Sequence, residues 1–172
     1  MYNELLYISI LRLMRMQPFN KRAFFRVDLK IPLSALLKII SVSGTKTDTK
    51  HSRIAIKDIS AGGIRMHSKL DLPIHVNLVL EFTFQLFNEP VKVIGAITRK
   101  TKLDDALFEY GIQFYLDVNK ERQLMAYLNM LSTRLRAQNV LGSCSFCSDD
   151  DLDEFYNEDM KNKLIYGPVP EV

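Results

Sequence analysis

From residue 25 onward apolar side chains fall on every second position: Phe25, Val27, Leu29, Ile31 and Leu33 alternate with Arg26, Asp28, Lys30 and Pro32, and Ala35, Leu37 and Ile39 continue the series. A period of two puts one set of side chains on one face of an extended chain, so the pattern predicts a half-buried strand starting near Phe24. Pro32 marks an edge or a bulge within it, because proline has no N–H to give to a ladder. Ile54 and Ile56 define a second strand, which ends in a turn over Asp58 to Gly63, and "GIRMHS" reads as a short third. Val76, Leu78, Leu80, Phe82 and Phe84 alternate over a fourth, and Val91, Val93, Gly95 and Ile97 over a fifth. After a polar hairpin through "KTKLDDA", Phe108, Tyr110, Ile112, Phe114 and Leu116 make a sixth. Strands at this spacing with no helical pattern between them predict a mainly β chain, a six-stranded antiparallel barrel rather than a parallel α/β sheet.

The period then changes. Leu124, Tyr127, Leu128, Leu131 and Leu135 follow the spacing of an amphipathic α-helix, with Asn119 as the expected N-cap. Its stripe should cover one opening of the barrel, with packing on a partner as the alternative. Beyond Gly142 the periodicity is weak, and a flexible segment is expected. Before the strands, Leu6, Ile10, Leu13 and Met14 would line a helix, whereas Leu6, Ile8 and Ile10 would line a strand. The expected organisation is an arm over 1–18, or the remnant of a preceding domain, then a barrel with its helix over 19–138, then an acidic flexible tail over 139–172.

Composition changes this picture only in places. The 172 residues carry a net charge of +3, but Gly142 to Val172 hold eight acidic side chains against Lys161 and Lys163, which leaves the rest of the chain strongly basic. A basic body fits an anionic ligand or partner, or simply a solvated surface. Cys144 and Cys147 form a lone C-x-x-C with no second pair, and His51, His67 and His75 lie far from it. A zinc site normally needs four ligands, so small apolar fillers are the expected role and no metal is assigned. The apolar "LLYISILRLMRM" is preceded by Glu4 and interrupted by Arg12, which fits neither a secretory signal nor a membrane span. The chain reads as cytoplasmic.

Two stretches carry chemistry. In "NKRAFFRV" Arg22 and Arg26 stand four apart at the mouth of the first strand, with Lys21 beside them. A planar guanidinium donates two parallel hydrogen bonds to a phosphate or to the O6 and N7 acceptors of guanine, although two arginines also keep a strand edge soluble. In "DISAGG" Asp58 is able to accept from the N1 and N2 donors of guanine, Ser60 to bond a phosphate or its own turn, and the glycines to admit a positive φ or a flat ring at close range. Asp, Ser and Gly also populate tight turns for purely local reasons.

In this order, and about thirty residues apart, "RAFFR" at 22–26 and "DISAGG" at 58–63 resemble the paired motifs of the PilZ domain, the bacterial receptor module for cyclic di-GMP. "YGIQFYLD" at 110–117 is similar to that family's last barrel strand. The resemblance implies a PilZ barrel in which Arg22 and Arg26 hold guanine and phosphate, Asp58 and Ser60 meet guanine and backbone, Gly63 keeps the floor open and Lys21 adds charge. "LLYISILRLMRMQPFNKRAFFRV" further resembles the junction of flagellar-brake PilZ proteins, in which another barrel precedes this one.

No nucleophile beside a base, paired carboxylate motif or metal cluster stands out, so a binding equilibrium rather than catalysis is expected. The reading is a cytoplasmic cyclic di-GMP receptor whose arm moves on binding and which signals through a protein partner, in motility or exopolysaccharide control for example. Two alternatives stand beside it. One is a PilZ-fold interaction module that binds no nucleotide. The other, less favoured, is a small basic barrel that binds single-stranded nucleic acid through Arg22, Arg26 and exposed aromatics such as Phe24.

Overall fold

The computed structural model describes residues 24–74 and 77–167. Lys21, Arg22, the arm at 1–18 and Val76 lie outside the described residues. Seven strands form: β1 (Val27–Val42), β2 (Thr45–Lys46), β3 (Ser52–Ser60), β4 (Gly63–Ser68), β5 (Leu78–Leu86), β6 (Glu89–Asp104) and β7 (Leu107–Phe114). Three helices follow: α1 (Val118–Arg134), α2 (Asp149–Phe155) and α3 (Glu158–Tyr166). Every strand pairing is antiparallel, in the order β2-β1-β3-β4-β7-β6-β5, and a further β1–β5 pairing closes six of the strands into a barrel. The two-residue β2, which the alternation did not reveal, is a flap on the end of β1.

Closure depends on β1. Its sixteen residues pair with β3 from Val27 to Leu37 and with β5 from Leu36 to Val42, so one strand serves two neighbours in succession. Its register against β3 shifts between Asp28 and Leu33, around Pro32 as the sequence predicts. The shift also breaks the alternation. Leu29 and Leu33 enter the main core, whereas Ile31 turns to a second apolar cluster outside the barrel. The strand begins at Val27 rather than Phe24, and Phe25 is exposed.

The barrel interior holds Ile54, Ile56, Ile59, Met66, Leu80, Phe82 and Tyr110 with almost no exposure. Leu124, Leu128 and Leu131 of α1 join this core, with Tyr127 and Leu135 at its margin, so the helix packs on its own domain. Its N-cap is Asp117, not Asn119: the Asp117 carboxylate accepts from the Lys120 amide at 2.9 Å.

The segment from 141 to 166 corrects the expectation of a flexible tail. Residues 143–147 run along the seam where β1 and β5 have not yet met. The Ser34 amide donates to the Ser145 carbonyl at 2.6 Å, Ser145 N donates to Gln85 O at 3.0 Å, and Cys147 N donates to Pro32 O at 2.8 Å. The acidic run then serves α2: Ser148 and Asp151 form a capping box, and Asp149, Asp150 and Asp151 sit at the positive end of the helix dipole. Leu152, Phe155 and Tyr156 bury against Ala55 and Leu107 on the outer face of the barrel, with Ile31, Met160 and Leu164 at the rim. Cys144 and Cys147 are buried and free, the first in the barrel core and the second in this outer cluster, where burial pushes its thiol up to about 12.

Candidate functional site

β3 and β4 are joined by a two-residue turn, Ala61-Gly62, which fixes the pairs Ser60↔Gly63, Ile59↔Ile64 and Asp58↔Arg65. The register then shifts between Ile56 and Asp58, so Lys57 is an extra residue in the ladder. A bulge of this kind re-aims neighbouring side chains and increases local twist.

The Asp58 carboxylate, almost wholly buried, is held between two arginines. Arg26 Nη1 donates to Oδ1 at 3.3 Å, and Arg65 Nε donates to Oδ2 at 2.5 Å. These arginines differ in exposure, 61% for the Arg26 side chain against 33% for Arg65. Arg26 thus meets Asp58 across 32 positions of sequence, while Arg22 and Lys21 lie outside the described residues.

Ser60 and the glycines act locally in ways the sequence left open. The Ser60 hydroxyl donates to Gly63 O at 3.2 Å and accepts from Gly62 N at 3.3 Å, which ties the turn together. Neither Gly62 nor Gly63 has a positive φ, so close approach rather than backbone handedness requires them. A Cβ on Gly63 would lie 2.0 Å from the Ile112 carbonyl oxygen of β7, and one on Gly62 would lie 2.9 Å from the Phe24 ring. Gly63 therefore lets β4 approach β7, a role other than the open floor that the resemblance implied. Phe24 is not an exposed aromatic: its ring rests on the turn.

Sequence reasoning missed the residues behind Asp58. Arg65 Nη1 donates to Glu109 Oε2 at 3.3 Å, His67 Nε2 lies 3.1 Å from the same oxygen, and Arg99 Nη2 donates to Oε1 at 3.2 Å. His67 Nδ1 lies 2.9 Å from the Tyr156 hydroxyl. Burial alone would raise the Glu109 pKa, but the hydrogen bond from His67 and the charges of Arg65, His67 and Arg99 hold it below the usual carboxylate value. Burial lowers His67 by more than Glu109 restores, which favours the neutral ring. Lys57 is buried, its ammonium 3.5 Å from Leu29 O, and desolvation followed by the Arg65 charge depresses it to about 8. One signal was available: a two-residue turn at Ala61-Gly62 implies that Asp58 faces Arg65.

Among the described residues no group of three or more His, Cys, Asp and Glu side chains could hold a metal ion. No described helix is long and apolar enough to cross a membrane.

No curated protein matches the sequence. Solved structures do: the Bacillus subtilis inhibitor of motility MotI/DgrA matches with a TM-score of 0.50 and 14% identity, over 71% of this chain and 55% of that one. Escherichia coli YcgR in complex with c-di-GMP matches with a TM-score of 0.48 and 15% identity, over 67% and 48%. Borreliella burgdorferi PlzA, also in complex with c-di-GMP, matches with a TM-score of 0.41 and 18% identity, over 72% and 45%. The chain spans about half the length of these structures. At such identities the likeness concerns the fold, and the sequence itself supplies the assignment: residues 20–130 match the PilZ domain, so the chain belongs to the PilZ domain family.

Proposed function

We propose that the protein is a cytoplasmic cyclic di-GMP receptor that works by binding rather than by catalysis. Arg22, Arg26, Asp58 and Ser60 would form its nucleotide site, Lys21 would add charge, and Gly63 would keep the turn in place. The observation that carries the reading is the meeting of Arg26 and Asp58 at 3.3 Å beside the Ser60–Gly63 turn, within a chain that matches the PilZ domain. One residue from each motif supports it: Arg26 meets Asp58 although 32 positions separate them. Arg26 is the more exposed partner, and an ion pair of that kind is worth about 0 to 1 kcal/mol, so a phosphate or guanine captures it at little cost. Asp58 would then accept from guanine N1 and N2, donors that adenine does not present in that pattern.

The output follows from contacts that differ between the free and bound states. Arg26 exchanges Asp58 for the ligand, and Phe24, two residues before Arg26, rests on Gly62 of the same turn. Signalling passes to a protein partner through the arm that carries Arg22. Calorimetry with cyclic di-GMP, cyclic di-AMP and a random oligonucleotide tests the reading. Saturable binding of the first alone is expected. Binding of the oligonucleotide with a steep loss of affinity in salt would replace it with nucleic-acid recognition.

A further inference from the structure

The hydrogen bonds that begin at Asp58 do not stop at the turn. They pass from Asp58 to Arg65, from Arg65 to Glu109 Oε2, from that oxygen to His67 Nε2, and from His67 Nδ1 to the hydroxyl of Tyr156, with distances of 2.5, 3.3, 3.1 and 2.9 Å. The chain crosses β3, β4 and β7 and ends on the C-cap of α2. Its polarity is fixed at each link. An ionised Glu109 only accepts, so Nε2 carries the proton of the neutral ring, Nδ1 is the acceptor, and Tyr156 donates to it.

We propose that Arg65 is a further residue of the nucleotide site, the positioning residue for Asp58, and that the Glu109–His67–Tyr156 chain makes the C-terminal segment a remote part of that site. The proposal rests on the cyclic di-GMP reading. Once Arg26 turns to the ligand, Arg65 alone holds Asp58, through a single Nε contact whose direction is set by what the other end of the guanidinium grips. That other end grips Glu109, and Glu109 is itself aimed by His67 on one oxygen and Arg99 on the other. His67 keeps its orientation because Tyr156 occupies Nδ1 and packs edge-on against the ring, centroids 5.6 Å apart. Tyr156 is placed by Leu152 and Phe155, which bury in the outer cluster. A lysine at position 65 would supply the charge without a fork that reaches both carboxylates.

The test combines calorimetry with amide hydrogen exchange across residues 149–156. Arg65→Lys should lose about tenfold or more in affinity for cyclic di-GMP and narrow its preference over cyclic di-AMP, while remaining folded. Tyr156→Phe should lose a smaller factor in affinity and exchange faster in α2, and nucleotide should slow that exchange in the native protein. Native affinity and native base preference in Arg65→Lys would overturn the positioning role. Native affinity in Tyr156→Phe despite faster exchange would remove the C-terminal segment from the site. The ligand-free arm uses Asp58→Asn: the proposal expects faster exchange in α2 without any nucleotide, and unchanged exchange there overturns it. A native protein that binds no cyclic di-GMP defeats the functional reading, and the Asp58→Asn arm still decides whether the two ends are coupled.

Discussion

The two arginines on Asp58 hold one carboxylate in opposite ways. Arg26 reaches it from the start of β1 with most of its side chain in solvent, whereas Arg65 reaches it from the paired strand and is itself gripped by Glu109. An exposed ion pair is worth little to stability and exchanges partners freely; one with several partners at its back does not. The same contrast separates the two sides of β3. Its turn end faces the solvent-exposed Arg26, while Ala55 faces a dry cluster made largely by the C-terminal segment. The site thus pairs one exposed partner with one that is anchored, and the anchoring comes from Glu109 of β7, backed by His67 and Arg99 and, through His67, by Tyr156 of the C-terminal segment.

The strongest way to break this contrast is to empty the dry side. Phe155→Ala should cost about 3 kcal/mol of stability, within the range for truncated buried aromatics, and shift the midpoint of urea unfolding accordingly. A stability within about 0.5 kcal/mol of the native value would mean that the segment is a passive appendage.

The two glycines of the turn sharpen the contrast next. Gly63→Ala drives a Cβ into the Ile112 carbonyl and should destabilise the β4–β7 ladder by about 1 to 3 kcal/mol. Gly62→Ala meets only the edge of the Phe24 ring, which is free to shift, so its unfolding midpoint should stay close to native. Equal losses for the two would make the turn a single rigid unit.

Arg26→Ala should separate binding from folding. Loss of one charge-assisted donor costs on the order of 1.5 to 3 kcal/mol in affinity for cyclic di-GMP, by calorimetry, while the urea midpoint stays near native. Full affinity in this variant would take Arg26 out of the site.

Lys57 supplies a test by pH. Its pKa is depressed to about 8 in the folded protein, while the unfolded chain titrates near the ordinary lysine value of 10.5, so between these the unfolded state binds more protons. Stability contributed by this group therefore rises as pH increases from about 8 to 10.5, and the penalty for burying its charge is present in full below that window. Lys57→Met should abolish the rise in the urea midpoint between pH 8 and pH 10. The smallest effect belongs to Arg53→Ala: its pairs with Asp151 and Glu154 lie at the surface, and the expected loss is within about 0.5 kcal/mol and vanishes at high salt.

Much of this fold was legible because a closed barrel writes its inside and outside in alternation. Six strands, their order along the chain and the apolar stripe of α1 follow from the period, and Pro32, without an N–H, marked the edge or bulge that the register shift shows to be a bulge. Arg26, Asp58, Ser60 and Gly63 were legible as motifs, and the structure brings Arg26, Asp58 and the turn together. The C-terminal segment was not legible, since α2 is seven residues long and places only Leu152 and Phe155 in its cluster, too few to set a period. Its acidic run suggested a solvated tail because a capping box and a helix dipole need the same residues. The Glu109–His67 pair was hidden for another reason: it depends on the β4–β7 register, a long-range property that no local window contains.

The strap at 143–147 has a consequence for how the chain is made. Ser34, Gln85 and Pro32 emerge from the ribosome long before Ser145 and Cys147, which complete their hydrogen bonds. At roughly 5 to 20 residues per second, the separation of 60 residues from Gln85 to Ser145 leaves the seam open for several seconds. During that interval the nascent barrel presents a raw strand edge, the kind of surface that recruits another chain. A protein cut after α1 would present that edge permanently, so the strap is what withdraws it once the chain is finished.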